Sequence, residues 1–211
     1  MTLEENNKNW EEYFISGTDV LKNKLGITNK NLLKEKEVEI TFEKLVQLYQ
    51  EPLDMDFGKE HLKAIHFYLF SSIYPFAGKY RTVYMEKNNS YFAPVEEIDY
   101  RLDYTFNLME QEIYEVTSNF SFACFLATYY VELLNIHPFR EGNGRTIREF
   151  IREYANSKSK ELPIDEINFS WANINSDAIN EVIDKGRAFR SIIELEFMKA
   201  MTPVEHLSNS K

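Results

Sequence analysis

A single cysteine, Cys124, excludes an internal disulfide and fits a reducing compartment. Its place inside the apolar run 120–134 predicts a small buried core residue. Glycine and proline are scarce, at 7 and 6 of 211 residues, in a chain rich in Leu, Ile, Glu and Lys. That shortage argues against a fold of many short strands and turns and favours helices. Positive charge is short too: 24 Lys and Arg against 34 Asp and Glu give a net charge of −10. Such a balance excludes a broad surface that grips nucleic-acid phosphates, although it leaves room for a small basic nucleotide pocket. No run approaches the roughly 20 apolar residues that span a bilayer. The longest, 120–134, carries Thr128 and Glu132 and reads as a buried helix. The N-terminus shows no basic start leading into an apolar stretch, so no secretory signal is expected and the chain reads as soluble and cytoplasmic. Internal repeats, low-complexity tracts and Gly/Ser linkers are missing as well, and a single domain over 1–211 is expected.

What is present is a hydrophobic content of 44%, with 16 Phe and 13 Tyr, enough for a globular core. An amphipathic segment over 3–15 ends at Ser16-Gly17. Thr28 or Asn29 can cap a helix carrying Leu32, Leu33, Val38, Phe42, Leu45 and Val46, closed by Pro52. Over 59–72, Leu62, Ile65, Leu69 and Ile73 fall at spacings that align one helix face. After Pro75 and Gly78, residues 82–87 and 90–95 read as two strands joined at Asn88-Asn89. Helical spacing returns with Ile98, Leu102, Phe106, Met109 and Ile113, and Thr117, Ser118 or Asn119 can cap the helix of the apolar run. Two further helices are expected over 176–185 and 187–201, separated by Gly186 and ended by Pro203. The expectation is an all-α bundle with one projecting β-hairpin.

The chemistry concentrates in twelve residues, His137-Pro138-Phe139-Arg140-Glu141-Gly142-Asn143-Gly144-Arg145-Thr146-Ile147-Arg148. Ile147, Phe150, Ile151 and Tyr154 mark a helix that starts at the glycines. A helix start has unpaired N–H groups and partial positive charge, and glycines let an anion approach its backbone. Arg145 and Arg148, three apart, can share one flank and add fork-shaped donors. Glu141 is mismatched to a phosphate by charge, but fits if Mg²⁺ stands between them. His137, with an ordinary pKa near 6.5, can accept a proton at cell pH. Singly, each feature has a commonplace reading: a satisfied histidine, a turn, solvated arginines. Together they point to phosphoryl or nucleotidyl transfer onto a hydroxyl. His61 and His66, five apart, lack the spacing of a helical metal pair, and His206 lies in a polar tail. His66 is expected at the edge of the core.

The stretch matches H-x-F-x-[D/E]-G-N-G-R-x-x-R at every specified position and so resembles the Fic family. Chance agreement at eight positions of about 5–10% each is on the order of one in a million for a chain this size. The likeness extends over 20–201, through Leu21-Lys22-Asn23-Lys24-Leu25-Gly26 and Tyr74-Pro75-Phe76-Ala77-Gly78 with Arg81. It implies a Fic-fold helical bundle whose hairpin, about 80–95, is a flap beside the catalytic loop 137–148. It also implies a protein adenylyltransferase: His137 as general base, Gly142, Asn143 and Gly144 as anion hole, Arg145 and Arg148 on the phosphates of ATP, Glu141 on Mg²⁺, and Phe139 as a plug. A target protein would present a Ser, Thr or Tyr hydroxyl along the flap, with Phe92 as the aromatic that meets it, and the chain itself could be one such target. A kinase-like branch of the family carries Lys at position 144, and Gly144 leaves that space open. Transfer of UMP, phosphate or phosphocholine, or a nucleotide-binding regulator with little turnover, are the alternatives.

The family's inhibitory pattern, [S/T]-x-x-x-E-[G/N], does not occur in full. Thr82/Glu86, Thr128/Glu132 and Ser157/Glu161 have its spacing without the final small residue, and Glu194 is out of register. Asn31-Leu32-Leu33-Lys34-Glu35 comes nearest and nominates Glu35 as an inhibitory residue. The resemblance otherwise leaves open a small inhibitory partner protein, or self-association into a homo-oligomer.

Overall fold

The computed structural model describes residues 2–87, 90–175, 177, 179 and 190–204. Its helices are α1 (Leu3–Glu11), α2 (Lys30–Gln50), α3 (Lys59–Phe70), α4 (Ile98–Glu112), α5 (Asn119–Ile136), α6 (Asn143–Lys158) and α7 (Arg190–Ala200). The strands are β1 (Glu86–Lys87), β2 (Ser90–Tyr91), β3 (Ile167–Phe169) and β4 (Met201–Pro203). The mostly helical fold with a hairpin agrees with the expectation. None of the described helices is long and apolar enough to cross a membrane. Two compact units divide the chain, Met1–Tyr104 with Leu133–Glu149, and Thr105–Glu132 with Phe150–Lys211.

In the first unit α2 packs on α3. Leu62, Ile65, Leu69 and Ile73 are fully buried, as their spacing predicts. Asn29 caps α2, its Oδ1 accepting from the Leu32 N–H at 3.0 Å. The apolar residues of α2 did not foretell its inner face, however. Leu32, Val38, Phe42 and Val46 are exposed, and the buried residues are Leu33, Glu37, Thr41 and Leu48. Those four recur at spacings of four, four and seven, so one helix stripe holds them. A glutamate and a threonine can lie on a buried stripe only where something polar meets them.

The hairpin is shorter than the alternation over 82–95 suggests. Only Glu86↔Tyr91 and Lys87↔Ser90 pair as a ladder. The Phe92 N–H still reaches the Met85 carbonyl at 3.2 Å. Beyond that the carbonyls of Val83 and Ala93 go to the Arg81 guanidinium, and on the outer edge the backbone of Thr82 and Tyr84 bonds to side chains of the N-terminal segment. Asn88 and Asn89, the expected turn, lie outside the described residues.

The second unit has its own aromatic core, in which Phe169, Trp171 and Phe197 meet edge-on and Tyr130 joins them. Strands β3 and β4 form an antiparallel pair that sequence reading missed, because three-residue strands show almost no periodicity. The last helix ends at Ala200, and Met201 opens β4 instead of continuing it. Cys124 is half-buried, not sealed in the core. The expected helix over 176–185 falls largely, and Gly186 and His206 fall wholly, outside the described residues.

Replacing Asn29 by alanine is expected to lower the unfolding free energy by about 1 kcal/mol, the usual worth of an Asn cap, seen as a lower urea midpoint at unchanged slope.

Candidate active site

Helix α5 runs to Ile136, and the His137 N–H still bonds the Leu133 carbonyl at 3.0 Å. The chain then turns sharply. His137 has φ of 50°, and among the described residues it is the one non-glycine with positive φ. A side chain held there is strained by about 1 kcal/mol or more, so the surroundings must fix it. Arg81 does much of that fixing. Its Nε donates to the His137 carbonyl at 2.8 Å and its Nη2 to the Ile136 carbonyl at 3.2 Å. Its other bonds run to the two roots of the hairpin, the carbonyls of Val83 at 2.7 Å and Ala93 at 2.5 Å. Burial lowers the Arg81 pKa to about 10, which leaves it charged at neutral pH.

The His137 imidazole lies under Phe92, with ring centroids 3.8 Å apart and planes 12° from parallel. Burial holds its pKa down to about 4, against an opposing backbone contact at Leu134, with the charges of Arg81 and Lys87 adding to the depression. The ring is therefore neutral at pH 7 and able to accept a proton.

Asn143 ties this loop to the helix start. Its side chain accepts from the Phe139 N–H at 2.8 Å and donates to the Phe139 carbonyl at 2.7 Å. Phe139 is fully buried and stacks on His66, 3.9 Å between centroids. His66 is a second tie and lies deeper than the core edge expected for it. Its Nδ1 accepts from the Gly78 N–H at 2.8 Å, which puts the ring proton on Nε2, 2.9 Å from the Glu141 carbonyl. Burial lowers the His66 pKa to about 4.

Gly142 has φ of 81°, and a Cβ there would meet the Phe70 ring at 2.3 Å. Only glycine fits. The first helical bond of α6 runs from the Thr146 N–H to the Gly142 carbonyl at 3.1 Å. The amides of Asn143, Gly144 and Arg145 precede it and have no acceptor within the helix. The Gly142 amide differs, since it donates to Glu141 Oε1 at 2.9 Å. The Asn143 side chain also turns to Phe139, so only its backbone remains for an anion. A side chain at position 144 would first touch the Arg148 guanidinium at 3.6 Å.

Arg145 meets the polar stripe of α2. Its Nη2 donates to Glu37 Oε1 and its Nη1 to Thr41 Oγ1 at 3.1 Å, above the face of Phe70. The Tyr74 hydroxyl donates to the other Glu37 oxygen, and burial together with Glu37 pushes its pKa well up. Glu37 was not singled out from sequence, although a carboxylate in register with Leu33 and Leu48 was its signal. Glu35 lies on the exposed side of α2.

Glu141 is the residue suited to a metal. Its side chain is 42% exposed, and Arg145 Nη2 lies 3.7 Å from Oε1. Among the described residues Oε2 has no hydrogen-bond donor. A single carboxylate with one open oxygen beside a helix start suits Mg²⁺, which keeps most ligands as water and phosphate. The described residues hold no cluster of three His, Cys, Asp or Glu that would bind a metal alone.

Residues 53–155 match the model of the Fic/DOC family. The chain is 30% identical over 165 residues to the probable protein adenylyltransferase y4lH of Sinorhizobium fredii, covering 76% of this chain and 84% of that one. It belongs to the Fic/DOC family. Protein adenylyltransferase VbhT of Bartonella schoenbuchensis is 36% identical over 152 residues, 71% of this chain but 32% of VbhT, so the chain spans about a third of that relative. In fold, this Fic chain is similar to BepC of Bartonella tribocorum, solved with bound AMPPNP, at a TM-score of 0.81 and 22% identity over 92% of this chain and 98% of that one.

The two depressed histidines set a pH dependence. Below about pH 6.5 the unfolded chain takes up protons that folded His66 and His137 refuse until about pH 4. Stability should therefore fall across that window, by on the order of 3 kcal/mol for the fully buried His66. Urea unfolding of His66→Gln between pH 7 and 4.5 should show a shallower decline than the parent chain.

Proposed function

We propose that the chain is a protein adenylyltransferase that moves AMP from ATP to a Ser, Thr or Tyr hydroxyl of a protein, its own surface included. One observation carries this reading: a neutral imidazole and an open helix start belong to one loop, clasped by Asn143 across Phe139. The names of the relatives point the same way, and 1–211 is read as one Fic domain. His137 takes the proton from the incoming hydroxyl, whose oxygen forms a bond to the α-phosphorus of ATP. The bond from that phosphorus to the bridging oxygen breaks, and pyrophosphate leaves with its electron pair. A positioned base of this kind supplies about 10²–10⁴ in rate.

The backbone amides of Asn143, Gly144 and Arg145 receive phosphate oxygens, and the guanidinium groups of Arg145 and Arg148 balance their charge. Glu37 and Thr41 take two of the five donors of Arg145 and thereby orient the others. Glu141 would hold Mg²⁺, which when bound neutralises charge on the leaving pyrophosphate. Gly144 favours AMP transfer over the kinase-like branch, because no side chain stands between the helix start and Arg148. The flap is read as the edge along which an extended target segment pairs.

Incubation with ATP and Mg²⁺ followed by intact-mass spectrometry should show the addition of one AMP to an acceptor protein, and His137→Ala should lose at least about 10²-fold in rate. Addition of phosphate or phosphocholine instead of AMP, or transfer by the alanine variant at the parent rate, would refute the proposal. The pH profile gives a separate check. With a base pKa of about 4, kcat/KM should stay level from pH 8 to about 5 and fall only below that.

A further inference from the structure

The N-terminal segment 6–14 precedes residues 53–155, which match the Fic/DOC family model, yet it bonds the root of the flap. The Thr82 N–H donates to the Tyr13 hydroxyl oxygen at 3.0 Å, and the Tyr13 and Thr82 hydroxyls share a second hydrogen bond at 3.1 Å. Asn9 Nδ2 donates to the Thr82 carbonyl at 3.3 Å, and Asn6 Oδ1 accepts from the Tyr84 N–H at 2.7 Å. Three backbone groups of the strand leading into β1 thus end on side chains of this segment. In the register of the hairpin, where Met85 and Phe92 form a bonded pair, residues 82 and 84 turn these groups to the outer edge of the strand, so the segment holds the flap from its far side.

The same segment grips the catalytic loop. Trp10, Tyr13 and Phe14 surround the Arg140 guanidinium, with its carbon 4.2, 5.5 and 5.4 Å from the three ring centroids. Arg140 is buried, its Nε has no hydrogen-bond partner, and among the described residues no carboxylate pairs with it. Its attachment is to the aromatic faces. Thr2 caps α1 in a reciprocal box with Glu5, so the segment arrives as a preformed helix turn.

We propose that Asn6, Asn9, Tyr13 and the Trp10–Arg140 contact are positioning residues for protein-substrate docking: they set the angle of the flap relative to His137 and leave the nucleotide cradle untouched. This rests on the reading of the hairpin as the target-docking edge. None of the four N-terminal residues contacts Glu141, Gly142, Asn143, Gly144 or Arg145 in the described hydrogen bonds and ring contacts. Losing them therefore alters how an acceptor hydroxyl is presented, not how ATP is held. Thr82 is exposed, so water replaces a lost partner and the fold survives.

The test compares Tyr13→Phe, Asn6→Ala and Trp10→Leu with the parent chain. Hydrogen exchange over 85–87 and at Phe92, amides the segment does not touch, is expected to quicken roughly three- to tenfold in Tyr13→Phe and Asn6→Ala, the effect of one or two lost hydrogen bonds. Trp10→Leu is expected to quicken exchange at the Arg140 amide alone, with Glu141 and Gly142 of the nucleotide cradle unchanged. Affinity for AMPPNP with Mg²⁺, by calorimetry, should not change. With the His137→Ala chain as acceptor, the acceptor KM should rise by a similar factor while the KM for ATP stays level. Unchanged exchange in all three variants, or AMPPNP affinity falling in step with it, overturns the proposal. If the parent chain transfers no AMP to any acceptor, the functional reading fails separately, and the exchange data still decide the tether.

Discussion

A buried guanidinium that pairs with no carboxylate among the described residues holds the site together. Arg81 spends its donors on four backbone carbonyls, two at the end of α5 and two at the roots of the hairpin. Its own N–H adds a bond to the Pro138 carbonyl at 2.8 Å. Because a guanidinium is planar and its donors diverge at fixed angles, those carbonyls cannot drift independently. The strained turn at His137 and the placement of Phe92 above it both follow from this constraint. Lysine would keep the charge but lose the fork, and the two roots would part.

Around that constraint the site is assembled from ties that hold the loop backbone more than its reactive groups. Asn143 clips Phe139, His66 bridges Gly78 to Glu141, and Phe70 packs against the only residue that could occupy position 142. Arg145 is the exception, the proposed phosphate ligand that also serves as partner to a buried carboxylate. Glu37 therefore has two roles at once. It satisfies the Tyr74 hydroxyl inside the unit and aims a cation toward the helix start.

Much of this was legible in the sequence, for reasons that differ by element. The helix start at Gly142 could be read because glycine, arginine spacing and the downstream periodicity all agree. The face of α3 could be read because its apolar residues repeat cleanly. The inner face of α2 could not, since its exposed side carries more apolar residues than its buried one, and the polar residues within are satisfied by partners as far away as Arg145. The length of the hairpin was hidden likewise, because the carbonyls at its two roots, Val83 and Ala93, are taken by the Arg81 guanidinium. Strands β3 and β4 were too short to leave a pattern. What a single sequence conceals is long-range polar pairing, not local periodicity.

Stacking Phe92 on the imidazole also has an outcome for economy of the nucleotide. One flat side of the ring is roofed by carbon, so solvent is kept from the base on that face. A stray water molecule then competes poorly with an alcohol delivered in line by a docked chain. On the proposed function, such a roof would limit the loss of ATP to hydrolysis while no protein is docked.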